Sequence, residues 1–456
     1  MNHRSVLHSK GKRIQRVVFF QPRTLAADNY RSYDGAEQRW APWAALLLAP
    51  IVREAGLDVD LIDARLDPDD WVRQVVSLGP RDLFAVSVMT GHTISDAIQA
   101  SEVARGRGAR VLWGGPHVSL FPKETLSQAP VDAVIPGFGY NPLSHLLAIL
   151  AKNEWISTNG GGVFVRSPAT NQTHPAAASI SLSPLPNPYL DLVMDWEQYL
   201  NQDVAIASRT VNFITSEGCP HRCTFCSEPR TSKRTWLARE PSQVVSVAKD
   251  LCNRTGANGL KLHDPNFFHD MPRAMRFAHQ FFDEVGVPWA ASMHPGDLVP
   301  LSEECLHDLS RLGLVRLLIG LESPDARIVR LAGKQYDPSR IMELASKLAR
   351  ARIRGMFTFM VGWPDADPDH YGRTVDCAVK IRDIWEEHQA KIHFLEPWPG
   401  TPIFEILARR GFQFPQTIRE WANIDYYQAE YAMIHDPKRL DEIRDANRRL
   451  SPYVNA

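Results

Sequence analysis

No apolar run in this chain of 456 residues is long enough to span a bilayer. The longest candidate, Ala44 to Val52, is short and contains Pro50. Val17-Val18-Phe19-Phe20 is too brief for a signal-peptide core and reads as a first strand. The expected location is therefore the cytoplasm, with no membrane partner. A charge surplus is missing too: 51 Lys and Arg against 52 Asp and Glu leave a net charge of -1, so no nucleic-acid partner is expected. Cysteine is scarce. Three of the 6 fall within eight residues, while Cys252, Cys305 and Cys377 are scattered, unlike a disulfide framework. Clustered thiols in a reducing compartment more often bind metal.

What the chain does have is two series of short apolar runs with helical stretches between them, and enough length for two or three domains. The first series comprises Arg16–Phe20, Val59–Asp63, Leu83–Val88, Arg110–Trp113 and Val131–Ile135, and predicts an N-terminal doubly wound parallel α/β sheet. Ligands of such sheets sit at the carboxyl ends of the strands, here the loops Thr90-Gly91-His92, Gly114-Gly115-Pro116-His117 and Gly137-Phe138-Gly139-Tyr140. Gly160-Gly161-Gly162 and an Ala/Ser/Pro-rich stretch through Pro188 read as linker. The second series runs Val211–Thr215, Gly259–His263, Pro288–Ser292, Val315–Gly320, Gly355–Val361 and Lys391–Leu395, and predicts a partial (β/α) barrel. The boundaries expected are residues 1–150, a linker over 151–205, a barrel over 206–402 and a C-terminal cap over 403–456.

Cys219, Cys223 and Cys226 follow the first barrel strand, in Glu217-Gly218-Cys219-Pro220-His221-Arg222-Cys223-Thr224-Phe225-Cys226. Three thiolates at this spacing can hold three irons of a [4Fe-4S] cubane and leave the fourth open. An open iron can take an exogenous chelator, and the amino and carboxylate groups of S-adenosylmethionine (SAM) suit it. The competing reading is a zinc knuckle with His221 as fourth ligand, although His221 lies inside the cysteine loop.

The motif C-x-x-x-C-x-x-C with an aromatic before the last Cys resembles the radical SAM superfamily. His263-Asp264-Pro265-Asn266-Phe267, Gly320-Leu321-Glu322-Ser323, Phe359 to Pro364 and Pro397-Trp398-Pro399-Gly400-Thr401 resemble further elements of that family, in order, across Val211 to Pro402. The resemblance implies a SAM-cleaving barrel supplied with electrons by a flavodoxin or ferredoxin. It implies that Phe225 lies beside the adenine, with backbone near Gly362 to Pro364 completing that pocket. Glu322 and Ser292 become candidate polar contacts to SAM. The plainer readings are a Glu322–Arg316 ion pair and a core hydroxyl at Ser292.

The first domain resembles the cobalamin-binding domain of one large radical SAM subgroup over residues 14 to 150, with Gly114-Gly115 as its glycine pair. Two departures make cobalamin a doubtful cofactor. The D-x-H-x-x-G element is absent, with Gln21-Pro22-Arg23-Thr24 in its place, and the usual G-E-G-E reads Gly137-Phe138-Gly139-Tyr140, where two rings could fill the space of a corrin. His92 and His117 read as ordinary loop histidines. Size and layout resemble radical SAM dehydratases of amino sugars such as paromamine in antibiotic pathways. The resemblance therefore implies a lyase acting on a hydroxylated small molecule, with a downstream reductase as a possible partner. Its acid–base residue would come from Asp264, His263, His294, Glu228 or Glu396, all expected at carboxyl ends of barrel strands. A cobalamin-dependent C-methyltransferase is the alternative. A non-catalytic iron–sulfur or zinc scaffold is the third.

Overall fold

The computed structural model describes residues 13–23, 39–66, 70–152, 161–165, 185–203, 205–424 and 437–450. Thr24, Gly160 and most of the Ala/Ser/Pro-rich linker lie outside the described residues. Contacts divide the chain into two compact units, Met1–Thr24 with Ala44–Val193 and Pro415–Ile424, and Leu25–Trp43 with Met194–Phe414 and Asp425–Ala456. No described helix is long and apolar enough to cross a membrane.

The first unit holds a sheet of β1 (Arg16–Gln21), β2 (Asp58–Asp63), β3 (Asp82–Ser87), β4 (Arg110–Gly114), β5 (Ala133–Val134) and β6 (Phe164–Val165) in the order β2-β1-β3-β4-β5-β6. β1 to β5 pair in parallel, and β6 pairs antiparallel with β5. The doubly wound expectation holds, with two changes. The fifth strand shrinks to two residues, and the stretch expected as linker supplies the edge strand. β1 and β3 read as continuous apolar runs because both faces are covered: Val17 to Phe20 and Leu83 to Val86 are all buried, and Phe20 packs on Phe84 at 5.3 Å and Trp71 at 5.4 Å. The strand order reverses between β1 and β3, which places the unit's ligand crevice at their carboxyl ends.

The second unit is a curled sheet of β7 (Asn201–Asp203), β8 (Ala207–Phe213), β11 (Gly259–Leu262), β12 (Trp289–Met293), β13 (Leu314–Glu322), β14 (Arg354–Val361) and β15 (Gln389–Phe394). Its order is β15-β14-β13-β12-β11-β8-β7. β8 to β15 run parallel, with β7 antiparallel on the open edge. β9 (Ser216–Glu217) and β10 (Leu237–Ala238) form a separate ribbon. The helices between strands are capped as their sequences demand. Glu240 and Gln243 form a reciprocal box on Pro241–Thr255, which ends on left-handed Gly256. Asp270 accepts from Arg273 N at the start of Met271–Glu284. The apolar face of that helix packs Phe277 on Trp289 at 5.3 Å, which seats the helix on the outside of the sheet.

Candidate radical SAM site

The cysteine loop leaves the sheet between β8 and β11, and the ribbon β9–β10 closes its two ends, with Glu217 opposite Leu237. Asp264 anchors the entry. Its carboxylate accepts from Thr215 N at 2.7 Å, Thr215 Oγ1 at 2.6 Å and Ser216 Oγ at 2.6 Å. Arg273 donates to Thr215 Oγ1 at 3.0 Å from the other side. Asp264 is 1% exposed, and burial raises its pKa against the pull of those hydrogen bonds. It was expected among the acid–base candidates. A carboxylate engaged by three donors ties the entry of the loop to the end of β11.

The middle of the loop hangs on the end of helix Ala326–Leu331. That helix stops at Gly333, with φ +71, where Gly333 N returns to Arg330 O and Lys334 N to Val329 O. The carbonyls left at the helix end take the loop: Thr224 N donates to Ala332 O at 2.9 Å and Thr224 Oγ1 to Leu331 O at 2.6 Å. Cys219, Cys223 and Cys226 are half-buried, and burial pushes Cys219 up to about 11 and Cys226 to about 12. Iron binding at these sulfurs would release their protons.

Phe225 turns into an apolar cluster with Trp363, Met360, Leu395 and Ile403, meeting the Trp363 indole edge-on at 5.6 Å. Gly362, with φ +85, and buried Pro364 flank that indole. The residues expected around an adenine are therefore brought together. Glu322 is brought to them by a register shift in β13 between Gly320 and Glu322 and by its own φ of +65. A non-glycine residue held there is fixed by its surroundings. Its partner is Lys334 Nζ at 2.7 Å, not Arg316, which binds Asp203 at 3.0 Å. Lys334 also donates to Gly320 O at 2.5 Å and lies 6.0 Å from the centre of the Phe225 ring. Burial opposes its charge, but Glu322 and Cys223 outweigh that and hold its pKa above the ordinary lysine value.

His221 does not turn back on the cysteines. Asn266 Nδ2 reaches its Nε2 at 3.2 Å, Asp297 lies 3.4 Å from the same atom, and the ring stacks on His294 at 3.7 Å. The zinc-knuckle reading loses its fourth ligand. His221, His294 and Asp297 themselves bring one atom each within 4.8 Å. Gly296 N donates to His294 Nδ1, however, so the proton of that neutral ring sits on Nε2, which is a donor and not a metal ligand.

The other acid–base candidates disperse. Glu228 opens the short helix Glu228–Thr231 rather than ending a strand, and burial followed by Glu217 raises its pKa. Glu396 is half-buried two residues beyond β15. His263 and Ser292 instead line a cavity of about 370 Å³ inside the curled sheet, with Asp203, Lys261, Arg316 and Leu318. His263 meets the Trp40 ring at a tilt with centroids 4.2 Å apart, its Nε2 is buried without a hydrogen bond, and burial holds its pKa well below 6.5. Sequence reasoning missed Lys261, Asp203 and Lys334, and gave Arg316 to the wrong carboxylate. Only Gly333-Lys334, a helix stop followed by a cation, gave a local signal.

In the first unit, Gly115 has φ +94, and a Cβ there would lie 2.7 Å from Val88 N, so only glycine lets the loop after β4 close on the end of β3. Gly137, with φ +76, donates to Ser119 Oγ at 2.8 Å. Both loops thus turn on glycine. Tyr140 is 3% exposed and Phe138 is half-buried. His117 is 1% exposed, bonded through Nδ1 to Thr90 Oγ1 at 3.0 Å, and burial pushes its pKa down to about 4. It is an ordinary buried histidine.

Comparison with known proteins agrees with both halves. The radical SAM superfamily model matches residues 213–378, and the B12 binding domain model matches residues 35–147. An uncharacterised methyltransferase of Pyrococcus horikoshii is 23% identical over 84% of this chain and 82% of its own. An anaerobic magnesium-protoporphyrin IX monomethyl ester cyclase of Cereibacter sphaeroides is 23% identical over 86% of this chain and 63% of its own. Among solved structures, the radical SAM methyltransferase TsrM from Kitasatospora setae, with cobalamin and a [4Fe-4S] cluster bound, superposes with a TM-score of 0.68. That match has 17% identity and covers 87% of this chain and 78% of TsrM. Residues 213–378 therefore carry a radical SAM domain. The chain carries a B12-binding domain ahead of its half-barrel, which corrects the expectation that cobalamin is a doubtful cofactor.

Proposed function

We propose that the chain is a cobalamin-dependent radical SAM methyltransferase acting on a small-molecule carbon centre. The observation that carries this reading is that one chain holds both a domain matching the B12 binding model, with its glycine-turned loops, and the cysteine loop of the second unit. The similarity to TsrM extends over both. This reading takes the place of the amino-sugar dehydration expected from the sequence, because the B12 binding domain model matches residues 35–147 and the similar proteins include methyltransferases.

The residues present fit the groups such an enzyme uses. Three cysteines without a fourth protein ligand suit a cluster with one open iron, and Phe225, Trp363 and the Glu322–Lys334 pair suit an adenosine and its polar substituents. When bound, these groups supply a one-electron cleavage of SAM and a methyl carrier. The chain's own part is to fix the cysteine loop through Asp264 and Ala332, to keep the adenine wall apolar, and to hold Glu322 and Lys334 as acceptor and donors without water between them.

The test uses the full chain reconstituted anaerobically with iron, sulfide and hydroxocobalamin. We expect stoichiometric retention of cobalamin. We expect both S-adenosylhomocysteine and 5′-deoxyadenosine from reduced enzyme, with 5′-deoxyadenosine lost in Cys223→Ala. Protein that cleaves SAM while retaining no cobalamin and forming no S-adenosylhomocysteine would overturn methyl transfer. Protein that forms no 5′-deoxyadenosine would overturn the radical reading itself.

A further inference from the structure

The cavity inside the curled sheet belongs to none of the groups assigned above. Lys261 comes from β11, Arg316 from β13, and Asp203 from the edge strand β7. Both cations converge on one carboxylate. Arg316 Nη1 lies 3.0 Å from Asp203 Oδ1, and Lys261 Nζ lies 3.9 Å from Asp203 Oδ2, beyond hydrogen-bond reach. Asp203 Oδ1 also accepts from Ala205 N at 3.1 Å. Asp203 is the sole acid among the residues lining the cavity. Two cations therefore share one counter-ion in a space largely removed from water, where an unmatched charge is costly.

The Arg316–Asp203 pair accounts for the structural side of this arrangement, because it ties the edge strand to the sheet. Lys261 is left over. Its ammonium rests 4.4 Å from the centre of the Trp40 ring and makes no hydrogen bond among the described residues. Burial, then Arg316, push its pKa down to about 7, as expected of a cation short of a partner. The buried, unpartnered Nε2 of His263 and the hydroxyl of Ser292 line the same space. These features are the makings of a site for negative charge, with a donor or acceptor beside it.

We propose that this cavity receives an oxyanion carried by the substrate, a carboxylate or a phosphoryl group, held between Lys261 and Arg316. The inference deepens the reading of the barrel as the place where the radical acts, and rests on that reading. It assigns the substrate class: an anionic small molecule whose charged end is fixed deep in the sheet while the rest points toward the cysteine loop. Neutral or cationic analogues should lack this anchor.

Saturation-transfer NMR on the full chain tests it, with methylphosphonate and acetate as probes and methylammonium as the control. We expect signal from at least one oxyanion and none from methylammonium, and displacement of one oxyanion by the other shows which head group the cavity prefers. Lys261→Met removes the charge while keeping an unbranched side chain, and it does not touch the Arg316–Asp203 pair. It should weaken the oxyanion at least tenfold, while Lys261→Arg retains most of the binding. Thermal melting of each variant confirms that it is folded, and should Lys261→Met not fold, the comparison of Lys261→Arg and the probe charges decides the matter. Absence of oxyanion binding, equal binding by Lys261→Met, or preference for methylammonium would overturn the assignment. SAM cleavage products and cobalamin retention are measured without any probe, so this inference and the methyl-transfer reading can fail separately.

Discussion

A carboxylate placed just after a barrel strand can be an acid–base catalyst or a structural clamp, and its hydrogen-bond partners decide which. Asp264 accepts from three donors on Thr215 and Ser216, the pattern of a clamp on the loop. Asp264→Asn would set an amide N–H against those donors in a buried site. Leaving such groups unmatched costs about 2 to 4 kcal/mol. We predict a fall of roughly 5 to 15 °C in melting temperature, together with poorer iron loading. An acid–base role would instead leave melting unchanged and abolish turnover alone. The ambiguity could not be resolved from the sequence, because Thr215 and Ser216 lie 49 and 48 residues away from Asp264. Glu322 shows the same limit. The G-x-E-S pattern marked it correctly as a strand-end carboxylate, but its partner Lys334 reaches it only because a short helix intervenes and stops on a glycine.

That helix stop is where an element controls the site. Ala326–Leu331 must end at Gly333 for Ala332 and Leu331 to offer their carbonyls to Thr224. A Cβ on Gly333 would sit 2.6 Å from Arg222 O, a backbone atom inside the cysteine loop, and would also have to adopt φ +71. Gly411→Ala makes a matched control, because Gly411 has φ +84 with nothing within 4 Å of its Cβ position. Each change carries the left-handed penalty of about 1 kcal/mol. Only Gly333→Ala should also displace the loop, so we predict several-fold lower iron content after reconstitution for Gly333→Ala and wild-type iron content for Gly411→Ala. Iron per chain in the two purified variants checks this. Equal loading would mean that the helix end does not hold the loop. The strands around this site were legible to within a few residues, since each is a short apolar run between helices. The edge strands β6 and β7 were not, because Phe164–Val165 and Asn201–Asp203 are too short and mixed to show a period and exist only by pairing with a neighbour.

Both units bury histidines in neutral form, and that couples the stability of the whole molecule to pH. In the first unit burial pushes His117 down to about 4, and in the second it pushes His294 down to about 3, with Lys334 and His221 adding to the effect. His370 and His388 are lowered by burial as well. The unfolded chain binds protons at such rings near pH 6.5, whereas the folded chain refuses them until much lower pH. Each ring therefore contributes stability that is fully present above about pH 6.5 and is lost as pH falls through the folded value. A tenfold difference in proton affinity is worth about 1.4 kcal/mol, so His117 alone accounts for about 3 kcal/mol. Carboxylates act in a lower window, since Asp325 and Asp297 have pKa values depressed from an ordinary value near 4. Denaturant unfolding of the metal-free chain between pH 7.5 and 4.5 should thus show a steady loss of stability, and each unit should carry part of it. His117→Asn should flatten the slope for the first unit only. A profile that stays level from pH 6.5 to 4.5 would show that these rings take up protons in the fold as readily as in the unfolded chain.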